Sequence, residues 1–247
     1  MTRLRDLIRQ PANAFLGKMG VRLVGRDWGP RGFQAAARNL RRMGITPHEI
    51  VDVGAAHGTW TRECLEVFPD AKYLMVDPLA ANQPVLSALA AERPGQIAAW
   101  HGALGRQAGR MAFHSHGDQS SFLASEYTEG ESAIEVPVQP MDAFLEQGLL
   151  RAPDFIKLDV QGYEIEVLEG AARCLESAQF VFSEVFIRRV YKGMPLAHDI
   201  VAYLGARGFR ILDFCSYVLR PYDGQLAGSD ILFAREGSPV FQHEGWE

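Results

Sequence analysis

One acid and two glycines occupy positions at which α/β proteins bind small ligands. Asp52 precedes Gly54, and Gly58 follows four residues later, between a short apolar run and the start of a helical pattern. Gly54 allows the chain to turn and approach a ligand closely, and Gly58 allows the next helix to pack on the sheet. A dinucleotide-binding loop would carry a third glycine beside the diphosphate. This spacing instead suits a ligand without a diphosphate, such as the amino-acid end of S-adenosylmethionine.

A second acid, Asp77, lies 25 residues after Asp52 at the end of the next apolar run. An acid at the end of the second strand accepts hydrogen bonds from both hydroxyls of a ribose. The simpler interpretation is a glycine turn followed by a helix-capping Asp77. Taken together, the two motifs predict a nucleoside site. Ala55 and His57 lie in its loop, where His57 either contacts the ligand or only fills the turn, and His101 follows the third strand near the expected adenine.

Two further carboxylates end later strands and are the candidate catalytic groups. Asp159 and Glu184 follow apolar runs and, if those strands are neighbours, both side chains lie at the cofactor edge. One carboxylate would then act as a general base, or both would bind Mg²⁺. The alternative for Asp159 is capping of the following helix. Lys157, in the strand before Asp159, either neutralises one of these two acids or only reaches the sheet edge.

Alternating strand and helix patterns place these groups at one edge of a sheet. Short apolar runs predict strands at residues 50–53, 72–76, 97–101, 154–159, 180–185, 209–214 and 230–234. Helical spacing predicts helices at residues 59–68, 82–91, 163–175 and 198–207. This order predicts a doubly wound, Rossmann-like α/β sheet of seven strands. Residues 105–140 break the rhythm and are interpreted as a β insertion over the carboxyl edge of the sheet.

Charge is distributed unevenly over the 247 residues, whose net charge is −5. Residues 1–42 contain ten Arg or Lys against two Asp, so this segment carries +8 and the remainder carries −13. We interpret residues 1–47 as a basic helical extension, 48–236 as one catalytic domain and 237–247 as a tail. The extension is expected to contact an anionic surface or form a homodimer, or else to pack on its own acidic domain. The acidic domain argues against a nucleic-acid partner.

Composition excludes several other classes of protein. A hydrophobic content of 47% and a mean hydropathy of −0.08 exclude a disordered or fibrous chain. No run reaches the about 18 uncharged apolar residues of a membrane-spanning helix, and the N-terminal sequence is not expected to be a secretory signal. Cys64, Cys174 and Cys215 are odd in number and lack metal-ligand spacing, which predicts reduced thiols in a cytoplasmic protein.

Over residues 48–236 the sequence resembles the FkbM-type S-adenosylmethionine-dependent methyltransferases. The motifs that carry the resemblance are residues 51–55 with Gly58, 77–78, 103–105, 120–121, 141–142, 155–164, 167–171 and Glu184. The resemblance implies a class I methyltransferase sheet and methyl transfer, commonly to a hydroxyl of a sugar, glycan or natural product. It also implies cofactor contacts from Ala103 and Leu104 and acceptor contacts from Ser120 and Ser121. This chain has Gln161 where the family usually has an acid.

Three other functions remain as alternatives at this point. A nicotinamide-dependent oxidoreductase would use a similar sheet, but the missing third glycine and the acid before Gly54 argue against it. A non-catalytic nucleoside-binding module would not need the candidate carboxylates Asp159 and Glu184. A nucleic-acid methyltransferase is favoured only by the basic extension. Binding of a nicotinamide cofactor would indicate the oxidoreductase. Formation of S-adenosylhomocysteine would distinguish a methyltransferase from the binding module.

Overall fold

The computed structural model describes residues 30–114, 120–124 and 133–242, together with Leu16. Its contacts divide the chain into two units, Met1–Arg31 and Gly32–Glu247. The helix Phe33–Arg42 packs in the core of the second unit through Phe33 and Leu40. Most of the basic extension falls outside the described residues, so its helical structure and its partners stay predictions.

Strands and helices alternate through the second unit. The strands are β1 (Glu49–Val53), β2 (Lys72–Asp77), β3 (Ile97–His101), β4 (Ala103–Leu104), β5 (Gly109–His114), β6 (Ala133–Gln139), β7 (Phe155–Leu158), β8 (Phe180–Phe186), β9 (Phe209–Phe214), β10 (Val218–Leu219) and β11 (Leu226–Arg235). The helices are α1 (Phe33–Arg42), α2 (Thr59–Val67), α3 (Gln83–Glu92), α4 (Asp142–Glu146), α5 (Glu164–Glu169), α6 (Ala172–Ser177) and α7 (Ala197–Gly205). Single turns of 3₁₀ helix span Ala80–Asn82 and Pro239–Phe241.

The central sheet has the order β10-β11-β8-β7-β1-β2-β3, and β9 also pairs with β11. In this sheet β8, β7, β1, β2 and β3 run parallel to one another, whereas β11 is antiparallel to β8 and to β9. The doubly wound α/β sheet is thus confirmed. Seven strands were predicted, and the described sheet has eight because the two-residue strand β10, which was not predicted, also pairs with β11.

Alternation along the central strands divides the core into two layers. In β1, Ile50 belongs to the cluster that packs with α1, α2 and α3, whereas Val51 and Val53 belong to the cluster on the opposite face. In β7, Phe155 and Ile156 divide in the same way. Successive side chains of a strand point to opposite faces, so these near-continuous apolar runs cover both faces of a parallel sheet. The carboxyl ends of the strands are thereby left for polar residues.

The predicted insertion forms a small separate sheet. Strand β5 is antiparallel to β6, and β4 is parallel to β6. A bridge between His114 and Ser121 adds the segment 120–124 to its edge. Phe122 contacts the rings of both Phe113 and Tyr163, at centroid distances of 5.0 Å and 4.7 Å. These ring contacts attach the small sheet to the segment that follows β7.

The single helix predicted over residues 163–175 was wrong, because α5 and α6 are two helices separated at Gly170. A Cβ on Gly170 would lie 2.1 Å from the carbonyl oxygen of Gly105, so the chain passes too close to the insertion for any side chain. The carboxylate of Asp142 accepts hydrogen bonds from the N–H groups of Arg173 and Cys174, both at 2.9 Å. These bonds satisfy free donors at the start of α6.

Within the described residues, no helix combines the length and apolarity needed to cross a bilayer. Cys64, Cys174 and Cys215 are free and buried, as expected for reduced thiols. Burial raises the pKa of all three thiols, so none is an activated nucleophile. The cytoplasmic location stays a prediction.

Candidate active site

A cavity of about 310 Å³ opens at the carboxyl ends of the parallel strands. Its walls are provided by the loops after β1, β2, β3 and β7, by β8 and by the small sheet. We call it the first cavity. Of the residues proposed from the sequence, it is lined by Gly54, Asp77, Ala103, Leu104, Ser120, Asp159 and Glu184.

Gly54 permits the closest approach between two loops of the site. Its φ is +77°, and a Cβ there would lie 1.9 Å from the carbonyl oxygen of Asp159. The Asp159 N–H donates a 3.1 Å hydrogen bond to the carbonyl of Val53. Any larger residue at position 54 would therefore push the loop after β1 away from the loop after β7. Gly58, with a φ of +72°, precedes α2, and a Cβ there would lie 3.0 Å from the Leu89 side chain.

Asp52 lies beneath the loop rather than in the wall of the first cavity. Its side chain is fully buried and accepts a 2.6 Å hydrogen bond from Thr61 Oγ1. Lys157 Nζ lies 3.0 Å from Asp52 Oδ1 and donates a 2.7 Å hydrogen bond to the carbonyl of Gly54. Burial opposes the charge on Lys157, but nearby carboxylates, chiefly Asp52 and Asp159, more than offset it and raise the pKa of Lys157. Lys157 therefore pairs mainly with Asp52, which the sequence did not indicate.

His57 and Ala55 occupy the outer side of the same loop. They line a second cavity of about 460 Å³, which shares Gly54, Ala56 and Asp159 with the first. His57 is exposed and Ala55 is buried. The loop after β1 thus separates two adjoining spaces, with the Asp159 carboxylate at their border.

Asp77 is buried at the end of β2 with three N–H donors around its carboxylate. Oδ2 accepts from the Ala56 N–H at 2.9 Å, and Oδ1 accepts from the Leu79 N–H and from Asn82 Nδ2, each also at 2.9 Å. Burial raises the pKa of Asp77 although these hydrogen bonds oppose the shift. Asn82 was not identified from the sequence, because its role depends on the 3₁₀ turn that follows Pro78. The carboxylate is therefore oriented rigidly toward the first cavity.

Replacing Asp77 with Asn is expected to weaken binding of S-adenosylhomocysteine by about 1–3 kcal/mol. The substitution keeps the shape but removes the charge and one acceptor, so an amide N–H group faces the existing donors. Isothermal titration measures the effect, and a matched Asp70→Asn variant on the exposed segment before β2 provides the control. Unchanged affinity for the Asp77 variant would contradict the ribose assignment.

The far end of the first cavity is aromatic. Phe113, Phe122 and Tyr163 line it together with Ala103 and Leu104. The sequence did not identify these rings as site residues, because two come from the insertion and reach the cavity only through the small sheet. His101 is exposed outside the lining, and its Nε2 lies 3.1 Å from the carbonyl of Pro78. The apolar end suits a flat heterocycle.

Gln161 connects the two candidate catalytic carboxylates. Its Nε2 donates hydrogen bonds to Asp159 Oδ1 at 3.0 Å and to Glu184 Oε2 at 2.7 Å. The Tyr191 hydroxyl donates to its Oε1 at 3.1 Å, which fixes the orientation of the amide. Gln161 adopts a φ of +52°, a conformation uncommon for residues other than glycine. The two acids were predicted to lie at one edge, and the amide between them was not anticipated.

Glu184 is an unusually basic carboxylate. Burial, followed by the nearby charges of Asp159, Asp230 and Glu164, raises its pKa to about 8, while the hydrogen bond from Gln161 opposes the shift. Asp159 is more exposed and has Lys157 Nζ at 3.7 Å. The two acids therefore differ in environment, which is the usual way to assign different roles to two carboxylates.

The paired serines differ in position. Ser120 lines the first cavity. Ser121 is buried outside it, where its hydroxyl donates to the Gln161 carbonyl at 2.7 Å and accepts from the Leu123 N–H at 3.0 Å. Ser121 thus fixes the backbone of Gln161, and the acceptor contact predicted for it stays a prediction.

Replacing Gln161 with Leu is expected to raise the pKa of Glu184 further. Without the amide, the ionised form of Glu184 loses a hydrogen bond and faces Asp159 unscreened. Carboxyl ¹³C NMR titration measures this pKa, with assignment from a Glu184→Gln sample. A Tyr191→Phe variant, which leaves both amide N–H groups in place, should shift it less. A pKa that is unchanged in the Leu variant would contradict this role of the amide.

Comparison with known proteins identifies relatives of this site and fold. A family model described as the methyltransferase FkbM domain matches residues 52–211. The chain is 27% identical over 167 residues to the 2-O-methyltransferase NoeI of Sinorhizobium fredii. That alignment covers 60% of this chain and 67% of NoeI. It is 26% identical over 199 residues to the hexuronic acid methyltransferase AglP of Haloferax volcanii. That alignment covers 75% of this chain and 81% of AglP.

A solved structure gives the same fold. The crystal structure of a methyltransferase FkbM from Methylobacillus flagellatus aligns with a TM-score of 0.51 and 18% identity, over 76% of this chain and 43% of that one. This chain therefore spans less than half the length of that protein. Because the family model covers more than half of the residues and includes the loop after β1, Asp77 and the Asp159–Glu184 pair, the chain belongs to the FkbM methyltransferase family.

Proposed function

We propose that the protein is an S-adenosylmethionine-dependent O-methyltransferase that acts on a hydroxyl of a sugar or glycan. The observation that supports the proposal is that Asp77 and the hydrogen-bonded Asp159–Gln161–Glu184 network line the same cavity. The names of the two sequence relatives, a 2-O-methyltransferase and a hexuronic acid methyltransferase, support the acceptor class.

The first cavity fits the cofactor in shape and charge. Its aromatic end with Ala103 and Leu104 would receive the adenine, and Asp77 the ribose hydroxyls. The loop after β1 would receive the amino-acid end, beside the Asp159 carboxylate. When bound, S-adenosylmethionine supplies a methyl group on a positively charged sulfur, which acidic walls favour over a neutral or anionic ligand.

Glu184 is the proposed general base. The acceptor oxygen forms a bond to the methyl carbon as the sulfur–carbon bond breaks, and the hydroxyl proton passes to the Glu184 carboxylate. A base with a pKa near the working pH is the most effective, and burial raises the pKa of Glu184 to about 8. Asp159, beside Lys157 and Gly54, orients the cofactor end of the site. Positioning of the two reactants supplies the remaining rate enhancement.

The carboxylate pair does not fit the Mg²⁺ site that was considered from the sequence. The Gln161 amide places N–H donors between Asp159 and Glu184, where a shared cation would need oxygen ligands. Among the residues that the structure describes, no group of three or more His, Cys, Asp or Glu has a metal-binding arrangement. The proposed proton transfer therefore uses the side chains of this chain.

Titration with S-adenosylhomocysteine, in the presence and absence of Mg²⁺, tests the proposed function. We expect micromolar affinity that does not depend on Mg²⁺, and transfer of labelled methyl groups from S-adenosylmethionine to a glycan fraction. Absence of binding in both conditions would contradict the methyltransferase assignment. Binding that appears only with Mg²⁺ would contradict the role given to Gln161.

A further inference from the structure

One peptide group in the loop after β7 is held by hydrogen bonds at both of its polar atoms. It joins Gln161 to Gly162, two successive residues with φ values of +52° and +95°. The Ser121 hydroxyl donates a 2.7 Å hydrogen bond to its carbonyl oxygen. Its N–H donates a 3.1 Å hydrogen bond to Glu164 Oε1. A left-handed residue other than glycine persists only where its surroundings determine the conformation, and these two bonds fix the orientation of the peptide.

Glu164 is buried at the first position of α5, with an exposed fraction of 4%. Burial raises the pKa of Glu164 to about 7, while hydrogen bonds from the backbone N–H groups of residues 160, 162 and 164 oppose the rise. A buried carboxylate needs such donors, because its charge is otherwise costly to remove from water. The carboxylate is thus hydrogen-bonded to the turn that precedes the helix.

Glu164 lines neither cavity, so any effect that it has on the reaction passes through other residues. The group that it holds is the backbone from which the Gln161 amide reaches Asp159 and Glu184. Rotation of the 161–162 peptide would change the backbone conformation of Gln161 and move its amide away from these acids. The bridge between the two carboxylates therefore depends on the orientation of this one peptide.

We infer that Glu164 is a positioning residue for methyl transfer, whose buried carboxylate holds the Gln161 amide between Asp159 and Glu184. This inference rests on the proposed O-methyltransferase function and adds a residue to its machinery. Ser121 and Glu164 hold opposite ends of the same peptide, so the loss of either side chain should release the same amide.

The side-chain ¹H–¹⁵N signals of Gln161 test the inference in the full-length protein without an acceptor. They are assigned by their absence from a Gln161→Leu sample. Hydrogen bonds to two carboxylates should shift these signals away from the position of a free glutamine side chain. We expect Glu164→Met to return them to that position. Glu164→Gln keeps an acceptor for the Gly162 N–H and should retain most of the shift.

Matched variants separate the turn from the helix. A first-turn acid also stabilises a helix through the helix dipole. Glu166→Gln removes an acid from the same turn of α5 and leaves both hydrogen bonds of the 161–162 peptide in place, so it should leave the Gln161 signals unchanged. Ser121→Ala should reproduce the effect of Glu164→Met. Wild-type signals in Glu164→Met, or equal shifts in Glu164→Met and Glu166→Gln, would overturn the inference.

A shorter acid keeps the test available if Glu164→Met does not fold. Glu164→Asp retains the charge but withdraws the carboxylate from the Gly162 N–H by one methylene group. We expect its Gln161 signals to move toward the free position as well. Wild-type signals in this variant and in Ser121→Ala would overturn the inference.

Methyl transfer provides the second readout. Glu164→Met should lower kcat on the order of 10²-fold, the cost of a small displacement in an active site, with little change in the KM for S-adenosylmethionine. Glu164→Gln should recover most of the rate. In a Gln161→Leu background, Glu164→Met should lower kcat no further, because the amide on which it acts is already absent. Additive losses would indicate a merely structural role and overturn the inference.

The two readouts also separate this inference from the proposed function. If the wild-type protein fails to bind S-adenosylhomocysteine, the proposed function is overturned. If it binds and transfers methyl groups but Gln161 gives the signals of a free side chain, the positioning role of Glu164 alone is overturned.

Discussion

Replacing Glu184 with Gln should lower kcat by about 10²–10⁴-fold, the usual contribution of a general base. Glutamine keeps the volume of the side chain and can still contact Gln161, but it cannot accept the hydroxyl proton. Affinity for S-adenosylhomocysteine should change little, because Asp77 and the apolar end of the cavity remain. Steady-state rates and a binding titration together separate the chemical step from cofactor binding.

The pH dependence gives this prediction a direction. Burial raises the pKa of Glu184 to about 8, so the carboxyl is mostly protonated at pH 7 and becomes a competent base as the pH rises. Wild-type kcat/KM, which reports the ligand-free enzyme, should therefore increase with pH and level off above about 8, whereas the Gln variant should lack this limb. A Gln variant with the wild-type rate and profile would remove Glu184 from the chemistry. Asp159→Asn is the informative companion, since it should also raise the KM for S-adenosylmethionine.

Replacing Lys157 with Met should destabilise the fold by about 3–5 kcal/mol. The substitution removes the ammonium but leaves Asp52 fully buried, with the hydrogen bond from Thr61 still in place. An uncompensated buried charge is among the costliest defects that a single substitution creates. Urea unfolding measures the free energy, with the same slope expected for both proteins if the unfolded states are alike.

The double variant Asp52→Asn/Lys157→Met provides the control. It removes both charges and keeps an acceptor for Thr61, so it should be more stable than the single Lys157 variant. If the single variant loses only the about 0.5 kcal/mol typical of surface substitutions, the buried pair is not what supports the loop after β1.

The fold and the location of the site follow from local patterns in the sequence. Apolar runs such as residues 72–76 indicate the parallel strands directly, and their carboxyl ends identify Gly54, Asp77, Asp159 and Glu184 as neighbours. Helix continuity across Gly170 was predicted wrongly, because only the packing of the insertion shows that the backbone passes too close to Gly105. Local spacing contains no information about such a contact.

Side-chain partners were much harder to predict than side-chain positions. The sequence places Lys157 in the correct strand. Its pairing with Asp52, however, depends on the register between β1 and β7, in which these two residues are directly opposite. The Gln161 amide reaches Glu184 only because its backbone adopts a positive φ, which sequence patterns rarely reveal outside glycine. Asn82 and the rings of Phe113 and Phe122 likewise acquire their roles from tertiary contacts.

The Gln161 bridge also has a genetic consequence. Glutamine and glutamate codons differ only in their first base, so a single point mutation would replace the bridging amide with a third carboxylate. That change would remove the N–H donors between Asp159 and Glu184 and leave a cluster of oxygens able to attract a divalent cation. A lineage carrying this fold is thus one nucleotide away from losing the amide bridge between its two carboxylates, without altering any other residue of the site.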